Sequence, residues 1–165
     1  MKYIITIISF IWLGLINMQA QDFEKFGMDK SFHLPKGLKV GDDAPNLIAK
    51  DQNGNNINLY EILKSKVLVI QFYRGNWCPV CNKFYSEEAK KLQKLETDKN
   101  VKIVLVTPEP TTESKKFLSK HGIGISVVSD IDSKTMNAFD VRFMTTDTYH
   151  NKVLIGLQTS IKNHN

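Results

Sequence analysis

The chain has 165 residues, of which 42% are hydrophobic and 24% charged, a composition that excludes disorder throughout and fits one globular domain. Its formal net charge is +5, but the lysines are scattered rather than clustered, so we predict no nucleic-acid partner. The chain has only two cysteines, Cys78 and Cys81, and its four histidines show no paired ligand spacing. A structural zinc site needs four ligands, so we predict no metal and no other cofactor.

Residues 1–20 have the pattern of a secretory signal peptide. Lys2 precedes an apolar run from Ile4 to Ile16, and Ala20 offers a small residue before a cleavage point. The run is shorter than the ~20 residues of a membrane span. We therefore predict export to the periplasm or another extracytoplasmic space, with no stable membrane insertion after cleavage. The alternative is an uncleaved anchor, because Met18 is not the small residue usual at that position.

The segment after the predicted signal divides into a leader and a domain. Residues 21–39 mix charge with phenylalanines without a clean period, so we interpret them as an irregular leader, and we assign residues 40–165 to one domain. Asn53-Gly54 lies between apolar residues and is a strong hairpin signal. Residues 59–64 are predicted to form a short helix.

The central motif lies between residues 67 and 95. Val67 to Tyr73 is a nearly unbroken apolar run rich in β-branched and aromatic residues, which predicts a strand buried on both faces. Gly75 and Asn76 break this strand, and Pro79 suits the first turn of a helix. An apolar stripe follows at helical spacing; its members are Tyr85, Ala89, Leu92 and Leu95. The sequence therefore places both cysteines at a strand-to-helix junction.

This junction favours redox chemistry of the cysteines. Free N–H groups and the helix dipole stabilise a thiolate in the first turn, where Cys pKa values fall from ~8.5 to roughly 3.5–7.5. Cys78 is the candidate nucleophile, and Cys81 can close a disulfide with it as the resolving thiol. Arg74 could add positive charge, and Trp77 is either part of an apolar docking surface or a packing residue. Half of a zinc site and a purely structural disulfide are the alternatives.

The second half of the chain alternates strands and helices. Strands are predicted at 101–106 and 123–128, and helices at 113–121 and 133–139, with Gly122 ending the first helix and Asp132 or Ser133 capping the second. The tail from Asp140 onward is predicted to be partly helical. This order predicts an α/β fold whose mainly parallel sheet has helices on both faces.

The active site of such a sheet lies at the carboxyl ends of its strands. Thr107, Pro108 and Glu109 end the strand beside the motif strand. They either line a pocket next to Cys78 or form an ordinary strand exit.

Residues Phe72 to Cys81, with the sequence FYRGNWCPVC, resemble the peroxiredoxin-like branch of the AhpC/TSA family, which has the thioredoxin-like fold. Val40 to Asn46 resembles the entry segment of that family, and the likeness covers about residues 38–140. It implies that Cys78 matches the peroxidatic cysteine. Family members carry Pro and Thr seven and three residues before that cysteine, where this chain has Gln71 and Gly75. The Trp-Cys-Pro-x-Cys motif also resembles TlpA/ResA-type thiol-disulfide oxidoreductases.

The resemblance implies an exported antioxidant enzyme that reduces hydroperoxides, is recycled by a thioredoxin-like or other dithiol reductant, and contributes to cell redox homeostasis. The alternatives are a periplasmic oxidoreductase acting on protein disulfides and a non-catalytic thioredoxin-fold binding module. The family continues with an X-Pro loop, a β-hairpin and a last helix. No proline follows Pro110, so we expect the fold to be incomplete at its C-terminus.

Overall fold

A computed structural model of the protein describes residues 27–98 and 100–161. The predicted signal peptide and residues 21–26 of the predicted leader lie outside this range. Within it, none of the helices combines the length and the apolar character needed to cross a membrane.

Strands and helices alternate along most of the described chain, as the sequence predicts. The strands are β1 (Ile48–Lys50), β2 (Asn56–Asn58), β3 (Val67–Phe72), β4 (Val101–Thr107) and β5 (Ser126–Ser129). The helices are α1 (Leu59–Leu63), α2 (Pro79–Asp98), α3 (Thr111–His121), α4 (Lys134–Ala138) and α5 (Asp147–Leu157).

The main sheet has the strand order β3-β4-β5, and both pairings are parallel. Strands β1 and β2 form the antiparallel hairpin predicted from Asn53-Gly54. The side chain of Asp51 accepts hydrogen bonds from the backbone of Asn53 and Asn55 at 2.9 Å each, which closes the turn. An isolated bridge between Asp51 and Val128 joins this hairpin to the edge of β5.

The prediction that β3 is buried on both faces is wrong. Val67 is 64% exposed and Val69 is 38% exposed. Among the described strands, β3 pairs only with β4, whereas β4 pairs on both sides. The central, fully covered strand is therefore β4, in which Ile103 to Thr107 are buried without interruption.

Alternate side chains of β4 enter two separate apolar clusters. Ile103 and Leu105 pack beneath helices α2 and α3, with Tyr85 and Phe117. Val104 and Val106 face the hairpin, α1 and Phe139 at the end of α4. Helices thus cover both faces as predicted, two long ones on one side and two short ones on the other. The α2 stripe is shorter than predicted, because Leu95 is exposed.

Two element ends differ from the sequence-based expectation. The third strand of the main sheet starts at Ser126, although Ile123 and Ile125 before it are buried. Helix α4 is held mainly by Asp130, whose carboxylate accepts from the backbone of Thr135 at 2.9 Å and of Met136 at 2.8 Å. Of the two predicted caps, Asp132 accepts from the backbone N–H of Lys134 at 3.4 Å, whereas Ser133, at the N-cap position, makes no side-chain capping bond.

The end of the described chain returns to the active-site edge. Helix α5 confirms the predicted helical tail, and no strand follows β5 within residues 27–98 and 100–161. The described part of the leader contains no helix or strand, but Met28 forms a bridge with Thr145 just before α5. The expected incompleteness at the C-terminus stays a prediction.

Candidate active site

A loop of residues 73–77 connects the end of strand β3 to Cys78, which directly precedes helix α2. The backbone N–H of Cys78 donates to the carbonyl of Gly75 at 3.1 Å, which tightens the loop. Pro79 begins the helix, where its missing N–H is not needed. The carbonyl of Cys78 accepts the N–H of Asn82 at 3.0 Å. Cys78 therefore lies at the N-terminus of a 20-residue helix, as the sequence predicts.

The sulfur of Cys78 is buried among hydrogen-bond donors. Cys78 is fully buried, with 0% exposure, and both cysteines are free thiols. Its Sγ accepts from Nη2 of Arg74 at 3.2 Å and from the backbone N–H of Cys81 at 3.4 Å. The pKa of Cys78 is lowered to about 5, first by the thiol of Cys81, which donates to it, and further by these two donors and the charge of Arg74. Together they outweigh burial, which raises it.

The thiol of Cys81 is stabilised in its protonated form. Cys81 is half-buried in the first turn of α2 and packs against the apolar cluster beneath that helix. Its pKa is raised, first because its S–H donates to Cys78 and then because burial disfavours the charge. Protonated Cys81 and deprotonated Cys78 stabilise each other, so the pair has one nucleophile.

Arg74 makes contacts on three sides. Besides Cys78, its guanidinium donates to the hydroxyl of Tyr149 on α5, and its Cζ lies 5.3 Å from the centre of the Trp77 ring. The cation–π contact and the two hydrogen bonds leave the side chain few alternative rotamers. The pKa of Arg74 is raised: burial alone would lower it, but the Cys78 thiolate and Tyr149 favour the charged form.

Glu109, at the exit of the neighbouring strand, lies under the cysteine loop. It is 2% exposed, and its Oε2 accepts from the backbone N–H of Asn76 at 2.6 Å. Gly75 has φ = +137°, and a Cβ on it would lie 2.5 Å from Cδ of Glu109. The position that holds a threonine in the family is therefore restricted to glycine here by a buried carboxyl group.

The pKa of Glu109 is raised. Burial is the first cause, and the charges of Glu113 and Cys78 act in the same direction, against the N–H donors of Asn76 and Trp77. A carboxylate and a thiolate thus lie close together, each supported by donors from the same loop.

Asn82 ties the cysteine loop to the end of α3. Its side-chain amide donates to the carbonyls of Asn76 at 2.6 Å and Cys78 at 2.9 Å. Its Oδ1 accepts from Nζ of Lys120 at 2.9 Å and lies 2.9 Å from Nε2 of His121. The side chain of Asn82 thus satisfies the carbonyl of Asn76, adds a second hydrogen bond to the carbonyl of Cys78, and fixes the loop between α2 and α3.

A cavity of about 200 Å³ adjoins the cysteine loop. Arg74, Trp77 and Pro108 form the wall nearest to Cys78, and the other side is built by residues before and within α5. Its lining is mostly apolar and contains no Asp or Glu among the described residues. Its remaining members are Phe72, Tyr73, Ser133, Met136, Val141, Arg142, Phe143, Thr145, Tyr149 and Ile161.

The structure brings together the residues singled out at this site from the sequence, except Thr107, which ends β4 and does not line the cavity. Cys78, Cys81, Arg74, Trp77 and Pro79 share one loop and helix start, and Pro108 and Glu109 flank it. Tyr149 and Asn82 also belong to the site and were not predicted from the sequence. No pattern marks Tyr149, which is 75 residues from Arg74. Asn82 could have been found as a polar residue one turn after the helix start.

Comparisons with known proteins match this fold and motif. The model of the AhpC/TSA family matches residues 40–163. The chain belongs to the AhpC/TSA family. Thiol-disulfide oxidoreductase ResA of Bacillus subtilis is 30% identical over 136 residues, which cover 78% of this chain and 74% of that protein. A putative peroxiredoxin bcp of Helicobacter pylori is 31% identical over 105 residues, 62% of this chain and 66% of that protein.

Solved structures confirm the thioredoxin-like fold. Peroxidoxin BcpB from Mycobacterium tuberculosis superposes with a TM-score of 0.53 at 17% identity, covering 76% of this chain and 97% of that one. A putative thiol:disulfide interchange protein DsbE from Chlorobium tepidum gives a TM-score of 0.55 at 23% identity, covering 64% and 72% of the two chains. By sequence, the chain is similar to a protein of each kind that the motif resembles, ResA and a putative peroxiredoxin.

Proposed function

We propose that the protein is an exported thiol peroxidase in which Cys78 is the nucleophile and Cys81 the resolving thiol. The observation that carries this proposal is the fully buried Cys78 sulfur, which accepts hydrogen bonds from Arg74 and from the N–H of Cys81. A sulfur in this position is activated as a thiolate, and the opening that a small hydroperoxide needs to reach it is smaller than the opening that a protein strand needs.

The reaction uses the two thiols in sequence. The Cys78 thiolate attacks one oxygen of the hydroperoxide; the S–O bond forms, the O–O bond breaks, and the leaving oxygen takes a proton to give water or an alcohol. Cys81 then attacks the sulfenic sulfur, and its thiol proton leaves with the hydroxide as water. The resulting disulfide is reduced by a dithiol partner of the thioredoxin type, which becomes a disulfide in turn.

Arg74 and the backbone donors act on both partners of the first step. The guanidinium stabilises the thiolate before attack, and the same charge favours the developing negative charge on the departing oxygen. Gly75 provides no hydroxyl to orient the peroxide. In this chain the guanidinium of Arg74 is nearer to the sulfur than the N–H of Cys81 is, so it takes that orienting role.

The test is the product formed on Cys78 in the Cys81→Ser variant, which cannot resolve it. We expect hydrogen peroxide to give a sulfenic acid that dimedone traps on Cys78, at a rate far above that of a free thiol of the same pKa. Cys78→Ser, which keeps Cys81, is the control. Oxidation by hydrogen peroxide no faster than that of a free thiol, with rapid mixed-disulfide formation from a protein disulfide, would contradict a peroxidase.

That second outcome would identify the alternative, a thiol-disulfide oxidoreductase. The likeness to ResA over 78% of the chain favours it, as does Trp77, which lines a cavity beside the cysteine loop. It requires Cys78 to become exposed, because a protein disulfide must approach in line with the attacking sulfur. In the described structure Arg74 and the loop cover that sulfur.

Export is part of the proposal and rests on the sequence of residues 1–20. In an oxidising compartment the pair must be reduced by a partner in order to turn over. We expect the mature protein from a Gram-negative host to begin at or near Gln21 in N-terminal sequencing. A membrane-bound product that keeps Met1 would instead show an anchored enzyme.

A further inference from the structure

Residues 27–29 of the leader, the leader clamp, pair with the residues that lead into helix α5. The N–H of Thr146 donates to the carbonyl of Gly27 at 3.0 Å, and the N–H of Asp29 donates to the carbonyl of Met144 at 2.8 Å. The two bonds lie on either side of an antiparallel bridge. The leader clamp is therefore fixed to the start of α5 through the backbone.

Gly27 also touches the ring of Tyr149, in the first turn of α5. Gly27 is buried and has φ = +85°. A Cβ at this position would lie 2.5 Å from Cγ and 3.0 Å from Cβ of Tyr149, which is closer than non-bonded carbon atoms approach one another. The absence of a side chain on Gly27 therefore lets the ring of Tyr149 lie against the leader backbone.

The capping residue of α5 also joins the leader clamp to Tyr149. Thr146 donates its N–H to Gly27, and its Oγ1 accepts from the N–H of Tyr149 at 3.2 Å. The hydroxyl of Tyr149 accepts from the guanidinium of Arg74, which donates to the sulfur of Cys78 at 3.2 Å. A continuous series of contacts thus runs from the leader to the sulfur.

Helix α5 is weakly packed along the rest of its length. Val153 is the one buried residue among its residues 147–157, all of which the structure describes. Leu154 is 49% exposed and Ile155 is 81% exposed, so these apolar side chains add little to the packing. The contacts at the start of the helix, to which the leader clamp contributes two hydrogen bonds, therefore have a large share in setting where Tyr149 lies.

We infer that the leader clamp positions the guanidinium of Arg74 against Cys78 through the ring of Tyr149, and that Gly27 is the positioning residue for this contact. Gly27 fixes the ring, the ring hydroxyl restricts the rotamers of Arg74, and the guanidinium stabilises the thiolate. The inference goes beyond the proposed function, because an activated Cys78 serves a peroxidase and a thiol-disulfide oxidoreductase alike.

The test is the midpoint of Cys78 alkylation by iodoacetamide against pH, measured in the Cys81→Ser background so that only one thiol reacts. Gly27→Ala should displace the ring of Tyr149 and raise this midpoint by about a few tenths of a pH unit, because the guanidinium is then less well placed to favour the thiolate. Gly37→Ala is the matched control. This glycine also lies in the leader with a positive φ, of +66°, but no atom lies within 4 Å of its added Cβ, so the midpoint should stay in place.

A double-mutant cycle tests the route through Tyr149. Tyr149→Phe already lacks the hydroxyl that bonds Arg74, so adding Gly27→Ala to it should raise the midpoint no further. Two rises that add would show that Gly27 acts by another route and would overturn the inference. An unchanged midpoint in Gly27→Ala, or the same rise in Gly37→Ala, would overturn it as well.

A second pair of variants weakens the leader clamp without changing Gly27, and it decides the matter if Gly27→Ala folds poorly. Asp29→Pro removes the N–H that donates to Met144. Asp29→Ala keeps this N–H and removes only the carboxylate, which accepts from Ser31. We expect only Asp29→Pro to raise the midpoint, and equal midpoints for the two variants would overturn the inference. Since iodoacetamide contains no peroxide, a failure of the peroxidase proposal leaves these measurements unaffected.

Discussion

Strands β3 and β4 end at the same edge of the sheet, and a buried ionisable side chain near each exit can be compared with the other. The β3 exit holds Cys78, whose pKa is lowered to about 5. The β4 exit holds Glu109, whose pKa is raised. Burial opposes the charge of both groups, so the neighbours decide the sign. The sulfur of Cys78 accepts hydrogen bonds from a thiol, an N–H and a guanidinium. Glu109 also accepts from N–H groups, but two nearby negative charges oppose its ionisation.

The two pKa values therefore move in opposite directions at neighbouring strand exits. The surroundings favour the thiolate of Cys78 at the β3 exit and the protonated carboxyl group of Glu109 at the β4 exit. A helix N-terminus is present at both exits, since α2 and α3 start there. The helix dipole alone therefore does not set the pKa of the group beside it. The thiol of Cys81 and, after it, the guanidinium of Arg74 act on Cys78 and have no counterpart at Glu109, so these two neighbours distinguish the exits.

The largest effect should come from Gly75→Ala, which breaks the packing between the exits. The new Cβ lies 2.5 Å from Cδ of Glu109, in a backbone conformation with φ = +137°. We expect the free energy of unfolding to fall by about 2–4 kcal/mol, measured by urea denaturation.

Gly41→Ala is the matched control for Gly75→Ala. Gly41 also has a positive φ, but no atom lies within 4 Å of its added Cβ, so it reports backbone strain alone, about 1–2 kcal/mol. Glu109→Ala combined with Gly75→Ala should recover the excess loss. Equal losses for the two glycine variants would show that Glu109 does not restrict this position.

Arg74→Met should remove the cation beside Cys78, one of the two neighbours that distinguish the exits. An opposite charge at this distance lowers a pKa by about 1–3 units, so we expect the midpoint of Cys78 alkylation against pH to rise by at least about one unit. Iodoacetamide rates in the Cys81→Ser background measure it, because serine keeps a hydroxyl donor near the sulfur. Arg142→Met, which removes a charge without contacting Cys78, should leave the midpoint in place.

The Cys78 thiolate should also make the free energy of unfolding depend on pH. The pKa of Cys78 is lowered from its ordinary value of 9.0 to about 5, so the unfolded chain binds more protons between these values and stability rises with pH across them. Relative to Cys78→Ser, we expect the added stability to be complete above pH 9 and to be lost as the pH falls through 5. The raised pKa of Cys81 acts only above its own ordinary value of 9.0 and does not cancel this slope. A flat difference across the window, measured by urea unfolding, would contradict a thiolate at neutral pH.

Glu109→Gln should have a smaller effect, of opposite sign. The pKa of Glu109 is raised above its ordinary value of 4.5 by burial, then by the charges of Glu113 and Cys78. Its ionisation therefore costs stability as the pH rises through 4.5 and on to the folded pKa. We expect the stability of the unmodified protein relative to Glu109→Gln to decline over this range. A relative stability that increases with pH there would show that the carboxylate stabilises the loop.

The smallest effect should come from Tyr149→Phe, which removes one hydrogen bond from Arg74. The guanidinium keeps its contacts with Cys78 and Trp77 but gains rotamer freedom. The lost bond is charge-assisted, but it acts on Cys78 only by positioning the guanidinium, so we expect the Cys78 alkylation midpoint to rise by only about a few tenths of a pH unit. Tyr60→Phe, which removes a hydroxyl that donates to the carbonyl of Ala44, is the control. A rise as large as that of Arg74→Met would mean that Tyr149 alone holds the guanidinium.

Local sequence accounts for much of the fold. The main-sheet strands are predicted by the apolar runs, and the hairpin by Asn53-Gly54. The start of α2 is predicted by Pro79 and the end of α3 by Gly122. Each of these signals acts through the backbone of a few adjacent residues. The burial of β3 could not be predicted in this way. An apolar run reports that a strand is suitable for an interior, but which strand has neighbours on both sides depends on the order of strands in the sheet.

The sequence by itself determined the placement of the two thiols, because a CxxC motif with proline at a strand-to-helix junction fixes them about one helical turn apart. Only the tertiary structure decided what surrounds them. Arg74 is bound by Tyr149 from the end of the described chain, Glu109 fills the space that Gly75 leaves, and Arg142 lines the same cavity as Arg74. These contacts join residues from about 30 to 75 positions apart, and the physical reason is that charge and volume act through space, while sequence patterns report only what lies nearby along the chain.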